Sequence, residues 1–130
     1  MSRELEPVPV WPPIAGHYAT KLVKDGPRVA VRIWYGAAII AGEEQDRGHD
    51  WRVEIDGRTD RWERDEAAGY RCRVPLEVER AWPHCAKDRI TEAEYRYLTQ
   101  HSAWAKEHAP DHPKATPRQR VDFNTMRLPF

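Results

Sequence analysis

The chain has 130 residues and a mass of 15.2 kDa, the size of one compact domain. Its 21 basic residues balance 21 acidic ones, so it is neither an acidic mimic of DNA nor a strongly basic, non-specific nucleic-acid binder. Mean hydropathy is −0.85, but six Trp, five Tyr and two Phe each remove about 150–250 Å² from water when buried, so a small core is expected.

Residues 1–16 carry Pro7, Pro9, Pro12 and Pro13 around Trp11 and have no apolar run. They read as an extended, Pro-rich arm, not as a signal or transit sequence. The longest apolar run, residues 37–41, is far short of a membrane span. With Cys72 and Cys85 as the two cysteines, two reduced thiols in a cytoplasm are expected.

Residues 17–80 read as β-rich. A strand over 17–23 leads into Asp25-Gly26, a hairpin signal. In residues 28–35, Val29, Val31, Ile33 and Tyr35 alternate with Arg32 and Trp34, the clearest period-two segment of the chain. Residues 42–50 read as a polar loop. Trp51, Val53 and Ile55 then alternate with Arg52, Glu54 and Asp56, and Asp56-Gly57 is a second hairpin signal, followed by a charged return over 58–64. Tyr70, Cys72 and Val74 mark a last strand. Pro75 suits the first position of a short helix with Leu76, Val78 and Trp82 as apolar contacts, in competition with a strand through Leu76 and Val78.

Thr91-Glu92-Ala93-Glu94 has the spacing of a capping box and predicts a helix to His108, stopped by Pro110. At 100° per residue, Ala93, Tyr97, Leu98, His101, Trp104, Ala105 and His108 share an arc of about 120° and are expected to form its buried stripe. Residues 110–130 read as an extended, mildly basic tail with Lys114, Arg118, Arg120 and Arg127.

Metal and catalytic patterns are weak. Cys72, Cys85, His108 and His112 have a zinc-like His-x3-His half, but twelve residues separate the cysteines where a zinc knuckle needs two to four. The alternative grouping of Cys72, His84, Cys85 and His101 has no sequence spacing to support it. His84 and Cys85 are neighbours, which point in different directions on a strand or a helix. The pairs Asp60 with Glu63 and Glu77 with Glu79 sit among arginines and read as solvated ion-pair faces. No nucleophile elbow, zinc-protease, phosphate-loop or dinucleotide-binding pattern occurs. The expectation is a non-enzyme with no metal and no cofactor.

Binding chemistry is better represented. Sixteen of the 21 basic residues are Arg, the cation suited to bidentate and stacking contacts. Trp51, Arg52, Arg61, Trp62, Arg64, Arg71 and Arg73 interleave rings with guanidinium groups and form the candidate partner site, with Trp62 as the ring most expected to be exposed. Nine basic and nine acidic residues alternate through 51–90, which predicts local neutrality and favours protein contacts over phosphate attraction.

Two stretches carry a resemblance. Gly16-His17-Tyr18, Leu22-Val23-Lys24-Asp25-Gly26-Pro27 and Val31-Arg32-Ile33-Trp34-Tyr35 form the first. Ile90-Thr91-Glu92-Ala93-Glu94-Tyr95-Arg96-Tyr97-Leu98 with Ala109-Pro110-Asp111-His112-Pro113 forms the second. Together they resemble small proteins encoded by phages and prophages of GC-rich proteobacteria. That set has Trp-Val-Pro in place of Arg28-Val29-Ala30 and a Pro-Pro turn in place of Ala37-Ala38, and it implies no activity and no functional residue.

The expected architecture is α+β: one domain with a small bent antiparallel sheet or SH3-like barrel over 17–80 and one C-terminal helix over 91–108. The expected function is a phage or prophage accessory protein in the host cytoplasm. It would inhibit or redirect a host protein or nucleoprotein complex, such as a defence nuclease, in the manner of an anti-CRISPR. A nucleic-acid-binding module and a virion or assembly component are the alternatives, and no membrane partner is expected.

Overall fold

A computed structural model describes residues 11–117 apart from residues 47 and 68. The first ten residues of the Pro-rich arm, and Arg118, Arg120 and Arg127 of the tail, lie outside the described residues.

The described chain is α+β. Strand β1 (Gly16–Lys21) turns at Asp25, whose φ of +63° marks the tight reversal, and pairs antiparallel with β2 (Arg28–Gly36). After a two-residue ladder of β3 (Ile39–Ile40) with β4 (Glu43–Glu44), β5 (Asp50–Ile55) pairs with the other edge of β2. The central sheet has the order β1-β2-β5. The segment expected as a polar loop over 42–50 therefore contributes β4 and the first residue of β5.

Strand β2 is covered on both faces because its alternation sends residues both ways. Val31 and Ile33, with Tyr18 and Val53, face helix α1 (Val78–Cys85) and pack on Val78, Ala81, Trp82 and Cys85. Tyr18 meets Trp82 edge to face at 5.5 Å and satisfies its hydroxyl by donating to the Ile14 carbonyl at 2.7 Å. On the other face Ala19 and Ala30 meet Leu98 of helix α2 (Glu92–His108), with Ile90 and Tyr95 alongside.

Of the two expected alternatives for the strands, small antiparallel sheets are found among the described residues and an SH3-like barrel is not. The strands form three separate ladders and no closed barrel among the described residues, because Asp56-Gly57 makes a hairpin only one bridge long, Ile55 to Arg58. The chain then leaves β5, and β6 (Asp60–Asp65) pairs only with β7 (Tyr70–Pro75). The short helix expected after Pro75 is found as α1, with Val78 and Trp82 among its buried contacts, and the competing strand through Leu76 and Val78 is not. Pro75 ends β7 and opens no helix, and α1 begins at Val78 after the extended Glu77. Pro83 lies inside α1, on its exposed side, while Val78, Ala81, Trp82 and Cys85 keep the helical stripe buried.

Helix α2 has its expected bounds, with Thr91 Oγ1 accepting from the Glu94 N–H at 3.1 Å as N-cap. Its rotation differs. Leu98, Ser102 and Ala105 are buried, whereas Ala93, Tyr97, Trp104 and His108 of the expected stripe are exposed. Ala19 and Ala30 leave a shallow surface that Leu98 fills, with Tyr95 of the first turns alongside and bonded to Glu54. Asp56 pins the far half of the helix: its carboxylate accepts from Ser102 Oγ at 2.7 Å and Lys106 Nζ at 2.9 Å, with the side chain only 8% exposed. Among the described residues no helix is long and apolar enough to cross a membrane.

Two stability predictions follow from these contacts. Asp56 sits at φ +51°, which Asn tolerates better than Ala. Asp56→Ala is expected to cost about 1.5–3 kcal/mol in urea unfolding, the worth of charge-assisted bonds, and Asp56→Asn less. The second concerns alkaline pH. Burial pushes the Cys85 thiol up to about 12 from an ordinary 9.0. Burial, and then the hydrogen bond Tyr95 donates to Glu54, push the Tyr95 phenol up to about 12 from 10.0. Both groups stay neutral in the fold while the unfolded chain ionises, so stability is full below their ordinary values and declines as pH rises towards 12. Urea midpoints measured across that range should fall, and Tyr95→Phe should make the decline shallower.

Candidate functional site

The β6–β7 ribbon brings part of the predicted site together. Cross-strand register places Trp62 opposite Arg73 and Arg64 opposite Arg71, and these four side chains are exposed on one ribbon face. The Trp62 ring is 49% exposed, with the Arg73 guanidinium 4.9 Å and the Arg71 guanidinium 5.6 Å from its centre. Both guanidinium groups are within cation–π range of the indole.

The other three predicted residues lie elsewhere. Arg61 is on the opposite ribbon face, donating to Glu77 at 2.8 Å and Glu63 at 3.2 Å; these hydrogen bonds push its guanidinium still higher than its ordinary value. Trp51 sits on β5 beneath Tyr35, edge to face at 5.4 Å, and packs against the α1 core. Arg52 points to the α2 side of the sheet and donates from Nε to the Gly36 carbonyl at 3.2 Å. Proximity in sequence grouped these residues; the Asp56-Gly57 turn separates Trp51 and Arg52 from the ribbon, and strand alternation puts Arg61 on its reverse.

Alternation also sorts charge. On the Trp62 face lie Arg64, Arg71 and Arg73 against Asp60, three positive charges against one negative, while Glu63 and Asp65 lie with Arg61 on the reverse. The residue-by-residue neutrality of the sequence is therefore not neutrality of the surface. Asp60 is no loosely solvated carboxylate: it accepts from the Ala41 N–H at 2.7 Å and from Arg73 at 3.3 Å, with its side chain 15% exposed. It ties the base of the ribbon to the β3–β4 turn, where Ala41 has φ +53°. Thr59 Oγ1 adds a bond to the Ile39 carbonyl at 2.7 Å.

A second exposed aromatic row was missed in the sequence because its rings were assigned to the buried stripe. Along α2, Tyr97, His101, Trp104 and His108 follow one another at ring separations of 5.5, 6.1 and 5.5 Å. Lys114 approaches within 2.8 Å of His101 Nδ1 and lies over Tyr97 at 5.6 Å. The polar partners of Leu98 and Ala105 (Ser102 above all) were the available signal, since a helix packed on alanines presents small side chains at its contact.

The zinc pattern does not assemble. Cys72 is half-buried on β7, Cys85 is in the α1 core, and His108 and His112 are exposed at the end of α2, on the other side of the sheet. Among the described residues no three His, Cys, Asp or Glu side chains are grouped so as to hold a metal ion. Both cysteines are free thiols.

Compared with protein-family models, curated proteins and solved structures, the chain has no match.

Asp60→Ala should loosen the ribbon without disturbing the central sheet. Native-state hydrogen exchange is expected to speed up at amides of 60–65 and 70–75 and to stay unchanged at 29–33; equal acceleration in both regions would show that Asp60 supports the whole fold.

Proposed function

We propose that the chain is a non-catalytic binding protein, an accessory factor of the phage or prophage kind that its sequence resembles, which docks an acidic surface of a host protein through the Trp62 face. A defence nuclease complex, inhibited in the anti-CRISPR manner, is the partner class this reading favours. The observation that carries it is Trp62, half-exposed and within cation–π range of Arg71 and Arg73 on a face with excess positive charge. Trp and Arg dominate the energetics of protein interfaces. The fit is to a partner with an apolar pocket rimmed by carboxylates.

The same guanidinium groups favour a second reading, direct nucleic-acid binding. Against it, the ring face of Trp62 is already approached by two guanidiniums of its own chain, so a base stacking there must displace them.

Affinity capture from host lysate, with mass spectrometry, tests the choice. Trp62→Ala and the Arg64→Glu/Arg71→Glu pair should each release the captured host protein while circular dichroism stays native, because all three side chains are exposed. Co-expression should also relieve host restriction of phage plating, and the variants should not. Capture unchanged in both variants overturns the Trp62 face. Retention of nucleic acid alone, with a steep loss of affinity as salt rises, selects the second reading.

A further inference from the structure

Behind the ribbon, on the side of Arg61, a cleft of about 320 Å³ opens between the end of β1, the end of β5 and one flank of α1. Its floor is apolar: Leu22, Ile55, Leu76 and the buried Ala81. Its rim carries Lys21, Arg61, Arg80 and His84 against a single carboxylate, Glu77.

Glu77 is already committed. One oxygen accepts from Arg61 at 2.8 Å, and the other lies 3.8 Å from Arg80 Nε. Arg61 also pairs with Glu63 at 3.2 Å beside the cleft, so Lys21, Arg61 and Arg80 meet two negative charges, an excess of one, and Lys21 has no carboxylate among the lining residues besides Glu77. Arg80 is 80% exposed on its side chain, so its guanidinium is free to swing towards a ligand.

An apolar floor with converging cations is the composition of a small-molecule site, and this volume lies near the lower end of the usual range, about 300–1,000 Å³. A bare inorganic ion would leave Leu22, Ile55 and Leu76 in water, and a neutral apolar molecule would leave the guanidinium groups without an acceptor. Arginine forks match carboxylate and phosphate oxygens in pairs. We propose that the cleft binds a small amphipathic anion, a short acyl or aryl chain ending in a carboxylate or phosphate, with its body on Leu22, Ile55 and Leu76 and its head between Lys21 and Arg80. Adjacent strand residues face opposite ways, so this cleft is separate from the Trp62 face and does not depend on the reading given to it.

The test is titration of the full chain with octanoate or octyl phosphate, each kept below its micellar concentration, followed by calorimetry and by amide chemical shifts. Saturable binding at one site is expected, with the largest shifts at Leu22, Ile55, Leu76 and Ala81. Octanol and inorganic phosphate, each lacking one half of the chemistry, should bind at least about tenfold more weakly, the worth of one charge-assisted contact. Lys21→Glu/Arg80→Glu changes two exposed side chains and should weaken octanoate by at least the same factor with native circular dichroism. The proposal is overturned by absence of saturation with both anions, by octanol binding as tightly as octanoate, by shifts centred elsewhere, or by undiminished binding in the double variant. Vesicles of phosphatidylglycerol form the last arm: binding to them without binding of either monomeric anion points to a membrane surface and overturns the small-molecule site.

Discussion

A central strand with no solvent face must be covered twice, and the two coverings of β2 differ in size. Val31 and Ile33 point one way, where Tyr18, Val53 and Trp82 fill a core of large side chains. Ala30 points the other way beside Ala19, where only a thin layer with Leu98 forms. The thin side dictates the rest of the helical arrangement. A helix seated on alanines approaches closely, so its buried line is Leu98, Ser102 and Ala105 with Tyr95 at its edge, and Tyr97 and Trp104 turn outward. Asp56 then fixes that rotation through Ser102 and Lys106, from a turn whose own N–H is bonded to the Ala30 carbonyl at 2.8 Å. The exposed row from Tyr97 to His108 is thus a consequence of two alanines on the sheet.

A second constraint, strand alternation, converts a neutral sequence into a polarised surface. Read along residues 60–73, Asp60, Glu63, Asp65 and Glu66 cancel Arg61, Arg64, Arg71 and Arg73. Folded as β6 against β7, they separate, and three arginines share the Trp62 face with one aspartate. Charges this close act at contact distance, since the Debye length at physiological salt is about 8 Å. The excess charge of the face is therefore felt at contact more than through long-range steering.

What the residues revealed in advance follows from how far each rule reaches. The turns at Asp25 and Asp56, the Thr91 cap and the alternation of β2 depend on neighbours within four positions, and all are found where the sequence places them. Pairing and rotation depend on residues far away in the chain. The Asp56-Gly57 turn is correctly placed, yet nothing local specifies that Thr59 will bond to Ile39 and carry the chain off to a separate ribbon. The rotation of α2 is set by Ala19 and Ala30, more than 60 positions from the residues they select. Helix α1 was legible as a short helix after Pro75, but its start was not, because Pro75 ends a strand and the helix begins at Val78, with Pro83 tolerated on a solvent-facing turn. Exposure of Trp62 was readable from its charged neighbours. The grouping of Trp51 and Arg52 with it was not a surface fact, because alternation puts one in the α1 core and the other on the α2 side.

The ribbon that bears Trp62 is also the part of the fold with the least to hold it. Its ion pairs are largely exposed, and pairs of that kind contribute about 0–1 kcal/mol. Its firm attachments are at the base: Leu76 N–H to the Thr59 carbonyl at 3.0 Å, Thr59 to Ile39, and Asp60 to Ala41. Each is worth about 0.5–1.5 kcal/mol net, and a two-stranded ribbon alone is marginal in water. Local opening of the ribbon therefore costs less than opening β2, which two cores enclose. A partner that grips only the closed ribbon, through Trp62 and the guanidinium groups around it, stabilises it by the free energy of that grip. The short base bonds set the orientation in which the ribbon presents Trp62.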